Sequence, residues 1–112
     1  MAFDALELAI QLAQALRRPL ERLRSHDRHL YQQTKDACNS IAQNLDEGRR
    51  RAGQDRLHLW RVALGSAAEV QTALRLAEAW GHLDATTLVT PRALLDRVLA
   101  MTWRLVHGPR PA

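Results

Sequence analysis

Apolar residues return at intervals of three and four along most of this chain, and that period limits its fold more than any motif does. Phe3, Leu6, Ile10, Ala13, Leu16, Leu20 and Leu23 form one stripe, and Leu30, Thr34, Ala37, Ile41 and Leu45 a second. Trp60, Ala63, Ala67, Val70, Leu74 and Ala77 form a third, and Leu94, Val98, Met101 and Leu105 a fourth. A half-buried strand would alternate its apolar residues instead. Composition points the same way: the apolar mass is Leu and Ala, with aromatics at 4%, and these are helix formers.

Local signals divide the stripes. Pro19 removes a backbone donor inside the first, but the stripe keeps its phase across it, which predicts a kink rather than a break. Arg24-Ser25-His26-Asp27 offers an N-cap for the second helix, which is expected to end at Gly48. The segment 48–53 is a tight loop, and Gly81 closes the third helix in a left-handed conformation. Residues 82–89 lack helical period, and Thr90-Pro91 reads as an N-cap followed by proline at the first helical position. Gly108-Pro109 stops the fourth helix.

Four amphipathic helices with short links must bury their stripes against one another, and short links favour antiparallel neighbours. The expected fold is all-α, an antiparallel up-and-down four-helix bundle. It forms one domain over residues 1–108, with a frayed tail over 109–112. A chain of 112 residues can bury roughly two-thirds of the surface its unfolded form exposes, so one core suffices. The lone cysteine, Cys38, cannot form an internal disulfide. The opening segment carries Asp4 and Glu7 and lacks both an early basic residue and a membrane-length apolar run. A cytoplasmic protein without a membrane role is therefore expected.

The formal charge is +4, and fifteen of the sixteen basic residues are Arg. Guanidinium groups fork onto phosphate or carboxylate, so an anionic partner is one reading, and a GC-rich genome is the bland alternative. The charge is uneven: between Arg17 and Arg61 there are eleven basic and six acidic residues, a net of +5.

Residue constellations for chemistry are missing. His26 and His29 have metal-like spacing but sit in a turn with only Asp27 nearby, and the Glu-x-x-His tetrad of di-metal bundles is not present. Cys38 lies beside an apolar stripe with no base near it and reads as a packed thiol. Ser25, Ser40 and Ser66 lack a nucleophile-elbow context. Trp60, Trp80 and Trp103 read as core or interface anchors. No metal, cofactor, small-molecule substrate or enzymatic activity is expected.

Two segments carry more information. Gly65-Ser66-Ala67-Ala68-Glu69 places a glycine inside the third helix, at about 1 kcal/mol relative to alanine. Close approach of another helix, within the chain or between subunits, would offset that. Asn44-Leu45-Asp46-Glu47-Gly48, with Arg51 beyond it, puts two acids where the helix dipole disfavours them. Ion pairs with Arg49, Arg50 and Arg51 would compensate. Alternatively, Arg49, Arg50, Arg51 and Arg56 form an exposed basic tip for phosphates.

Ser40 followed by these two motifs, in this order, resembles bacterial four-helix-bundle proteins typified by the 23S ribosomal RNA intervening-sequence protein. The likeness runs from about Leu30 to Gly81. That family is similar in fold to the accessory protein of diversity-generating retroelements, which assists a reverse transcriptase and its RNA. The resemblance implies a non-catalytic homo-oligomer, a pentameric ring, with RNA or a nucleoprotein as partner. It carries over Asn44, Glu47, Gly48 and Arg51 at the corner between the second and third helices, and Gly65, Ser66 and Glu69 on the third. Asp46 departs from the small residue usual in the family and lowers the positive potential of the corner. The alternative function is an adaptor that binds another protein and no nucleic acid.

Overall fold

The computed structural model describes residues 3–108. Helix α1 (Asp4–His26), α2 (Arg28–Arg49), α3 (Gly53–Ala79) and α4 (Val89–His107) make an all-α up-and-down bundle. Each helix packs on two neighbours, α1 on α2 and α4, and α3 on α2 and α4; the α2–α3 contact is the most extensive. Leu12, Leu16, Leu23, Ile41, Leu45, Val70, Leu74, Leu88, Leu95 and Val98 are fully buried between them.

A single residue links α1 to α2. Asp27 is extended (φ −154°, ψ 90°), and its carboxylate accepts from Leu30 N–H at 2.9 Å. It thereby satisfies one of the free donors of the new helix. Gly81 has φ +76°, the conformation the sequence requires of it at the end of α3, and the amides of His82 and Leu83 return to the Ala77 carbonyl. The second stripe is buried at all five expected positions. No helix among the described residues is long and apolar enough to cross a membrane.

Helix α1 runs through Pro19, which is buried inside it, so the proline does not break the helix. Four local expectations are corrected, the first being the inward face of α1. Its buried face is Ala5, Leu8, Ala9, Leu12, Leu16, Leu20 and Leu23; Ile10 is 44% exposed and Ala13 is exposed. The reason is angular. At about 100° per residue, Leu6, Ile10 and Ala13 drift roughly 60–120° from Leu16, whereas Ala5, Ala9 and Leu12 stay in line with it.

Helix α2 continues one residue past Gly48, which is helical and buried. Helix α4 starts at Val89, without a Thr90 cap. Asp84 instead accepts from Thr87 N–H at 2.8 Å and Thr87 Oγ1 at 2.7 Å, and this turn feeds the chain into the helix early. Pro91 then falls in the first turn, where its missing donor leaves no gap. The buried residues of α4 are Pro91, Leu95, Val98 and Thr102, so Leu94, Met101 and Leu105 flank the core rather than centre it. The segment 109–112 expected to fray lies outside the described residues.

Candidate functional site

The corner where α2 turns into α3 gathers the arginines that the sequence singles out. Helix α2 ends with Asp46 and Glu47 in its last turn, and the arginines that follow fold back on them. Arg49 Nε donates to Asp46 Oδ1 at 2.8 Å, and Arg50 Nε stands 3.4 Å from Asp46 Oδ2. Arg51 grips one oxygen of Glu47 with two donors, at 2.7 and 3.0 Å. The hydrogen bond from Arg49, with Arg50 nearby, holds the Asp46 carboxyl below its ordinary range. These are the compensating ion pairs expected from the sequence, and solvent screening keeps their individual energies small.

Arg56 plays a different part. Its Nε donates to the Gly48 carbonyl at 3.1 Å and its Nη2 to the Arg49 carbonyl at 3.0 Å. The Arg49 carbonyl, which the end of α2 would leave unpaired, is thereby taken up, and the Gly48 carbonyl, which already accepts from Arg51 N–H at 3.1 Å, gains a second donor. The same guanidinium lies 5.3 Å from the centroid of the Trp60 ring.

Trp60 closes the corner from the α3 side. Its indole nitrogen donates to the Leu45 carbonyl at 3.3 Å, and its ring stacks with Phe3 at 6.0 Å between centroids. A Cβ at Gly48 would fall 2.5 Å from that ring. Gly48 is therefore where the indole meets the α2 backbone, a close approach that only glycine permits.

One turn earlier, Asn44 Nδ2 donates to the Ser40 carbonyl at 2.9 Å and to Ser40 Oγ at 3.0 Å. Ser40 Oγ and Ser66 Oγ share a hydrogen bond at 2.7 Å. This bridge joins α2 to α3 at partly buried positions. No histidine or carboxylate hydrogen-bonds to either hydroxyl among the described residues, so the bridge holds helices together and has no base with which to activate a nucleophile.

Gly65 and Glu69 lie elsewhere. Both are exposed, and a Cβ at Gly65 would meet nothing within 4 Å. The expected close helix crossing at Gly65 does not occur among the described residues. Gly65 instead lies on a groove of about 880 Å³ between α2 and α3, whose walls include Ala37, Ser40, Val62, Glu69 and Leu76.

The other flagged residues occupy ordinary positions. His26 Nδ1 lies 2.9 Å from the Arg22 carbonyl, and His82 Nε2 stands 3.5 Å from Asp27 Oδ2; His29 is exposed. Among the described residues no group of three His, Cys, Asp or Glu side chains is placed to hold a metal ion. Burial pushes the Cys38 thiol up to about 12, so little thiolate forms near neutrality. The roles of Arg56 as a cap and of Gly48 as a seat for Trp60 were missed in the sequence, because the partners are seven or more residues away.

A family model described as 23S rRNA-intervening sequence protein matches residues 2–104. No curated protein and no solved structure matches the chain.

Proposed function

The chain belongs to the 23S rRNA-intervening sequence protein family, and from that premise we propose that it is a non-enzymatic, self-assembling bundle that engages RNA or a nucleoprotein through its basic surface. The observation that supports self-assembly is the outer face of α2 and α3. A helix-interior glycine is unfavourable by about 1 kcal/mol, and among the described residues Gly65 has no neighbour to account for it. Val62 and Leu76, on the same groove, are 37% and 44% exposed. A helix of a second copy laid into this groove would cover both and use the space left by the missing side chain. The pentameric ring implied by the resemblance is the assembly we expect.

Light scattering on the wild type and on Gly65→Leu tests this half. The wild type should run at a multiple of 12.7 kDa, five for a ring, and the variant should lose mass or melt lower. A monomeric wild type, or a variant unchanged in both, sinks it. The RNA half draws on the family description and on the +4 charge. Structured RNA should bind at low salt and dissociate steeply as salt rises; no binding at low salt rejects it.

A second reading, an adaptor for another protein, is favoured by Trp80 at 71% and Val89 at 64% exposure, in and beside the α3–α4 connection. A protein captured from nuclease-treated lysate by the wild type, and lost with Trp80→Ala, would favour this reading over RNA.

A further inference from the structure

We infer that the groove shared by α1 and α2 around Tyr31 is where this chain grips the phosphates of a single RNA strand. The inference rests on the RNA half of the proposed function and moves the contact away from the Arg49–Arg51 corner.

The placement follows from spacing and topology. Arg17 and Arg24 are seven residues apart on α1, and Arg28 and Lys35 are seven apart on α2, so each pair lies on one helix face about 10.5 Å apart along the axis. The one-residue link at Asp27 sets the two helices antiparallel. Arg24 and Arg28 therefore flank the near end of the groove, and Arg17 and Lys35 its far end. Arg17, Tyr31 and Lys35 line a hollow of about 400 Å³. Arg24, Arg28, Tyr31 and Lys35 line another of about 510 Å³. Tyr31 and Lys35 belong to both, so the two hollows adjoin at these residues. The Arg24 guanidinium and the Lys35 ammonium lie 5.7 and 5.9 Å from the Tyr31 ring centroid.

The charge in this groove is uncompensated. All four cations are exposed, and among the described residues none has a carboxylate within ion-pair distance. Glu21 is the single acid on the walls, so the lining carries four positive charges and one negative, a net of +3. Like charges held together are mutually unfavourable until a polyanion enters. A cationic groove with an aromatic ring inside it suits a single strand. The amides of Gln14 and Asn39 sit among the cations, and each offers both donors and an acceptor for base edges; the Gln32 amide, also on the walls, already donates to Asp36 Oδ1 at 2.9 Å. A chain of Asp and Glu side chains would use the charges but has no base to lay against the aromatic ring.

The test compares two variants of equal charge by fluorescence polarisation, using a labelled, unstructured RNA of about twenty nucleotides. Arg24→Gln/Arg28→Gln/Lys35→Gln empties the groove, and Arg49→Gln/Arg50→Gln/Arg51→Gln empties the corner. With four phosphate contacts at about 0.7 counterions each, wild-type affinity should fall roughly 50-fold between 50 and 200 mM salt. The groove variant should bind roughly tenfold or more weaker at low salt, its log–log salt slope reduced by about 2; the corner variant should stay within about threefold of the wild type. The intrachain contacts of the three side chains are exposed ones, Arg24 and Lys35 beside the Tyr31 ring and Lys35 Nζ donating to Tyr31 Oη at 3.4 Å, so the folded fraction by circular dichroism should change little. If the triple variant fails to fold, Arg28→Gln and Arg28→Glu carry the same comparison. Equal weakening by both triples, or an unaffected groove variant, overturns the site while leaving RNA binding intact. Competition by polyglutamate as effective as by RNA overturns the ligand class. A wild type that binds no RNA at low salt overturns the reading beneath it.

Discussion

The corner at the end of α2 gathers four arginines, and the groove between α1 and α2 gathers three arginines and a lysine, yet the two clusters are electrostatically unlike. At the corner, Arg49, Arg50 and Arg51 answer Asp46 and Glu47, and Arg56 caps the end of the helix. Around Tyr31, among the described residues, no acid is paired with any of the four cations. The corner is the denser cluster in sequence, with three consecutive arginines, but a cation already satisfied by its own chain has less to offer a phosphate. What marks a nucleic-acid surface is therefore the charge left over after internal pairing.

If the corner is structural, changes there should be felt in stability. The largest effect is expected at Gly48. Alanine inside a helix is ordinarily better than glycine by about 1 kcal/mol, but the added Cβ would run into the Trp60 ring. Gly48→Ala should therefore destabilise by about 1–3 kcal/mol in a denaturant melt, and a variant more stable than the wild type would show that the indole can move aside. Next comes Arg56→Gln, which removes two hydrogen bonds to the last carbonyls of α2 and should lower stability by about 1 kcal/mol. The same Arg→Gln change at Arg28, in the groove, should stay within about 0.5 kcal/mol. Equal losses at the two positions would erase the distinction between the clusters.

The smallest expected effect concerns Asp46. Its carboxyl is held below the ordinary value of 3.8, first by the hydrogen bond from Arg49. A depressed folded-state value contributes stability that is present above the unfolded value and lost as pH falls through the folded one. Melting temperature should thus drop with acidification below about pH 4, and Asp46→Asn should flatten that part of the profile. An identical profile in the variant would show that the ion pair is not felt by the fold. Asp84, lowered by its hydrogen bonds to Thr87, should keep its own share of the decline.

Much of this molecule was legible in its sequence where the deciding contacts are local. The α2 stripe, the Asp27 cap, the left-handed Gly81 and the pairing of Asp46 and Glu47 with the arginines beyond them all depend on residues within about four positions of one another. The α1 face was misread because the chain offers two apolar rows there, and only packing against α2 and α4 selects the one through Ala5, Leu8, Ala9 and Leu12. Thr90 was misread as a cap because the turn at Asp84 starts the helix first. In the candidate site, the arginine cluster was visible as a run of letters, but the Arg56 cap, the seat of Trp60 on Gly48 and the Ser40–Ser66 bridge span eight, twelve and twenty-six positions. The spacing of Arg17 with Arg24 and of Arg28 with Lys35 was a readable signal for the second cluster, although nothing in one dimension sets those pairs opposite each other.

By itself, then, the sequence determined four helices, most of their ends and their assembly into a bundle, because helix periodicity and capping act over a single turn. Only the tertiary structure decided which faces are inside, which glycine meets a neighbour and which cations remain unpaired. Those outcomes depend on contacts between helices, and such contacts join residues whose separation along the chain carries no trace of their distance in space.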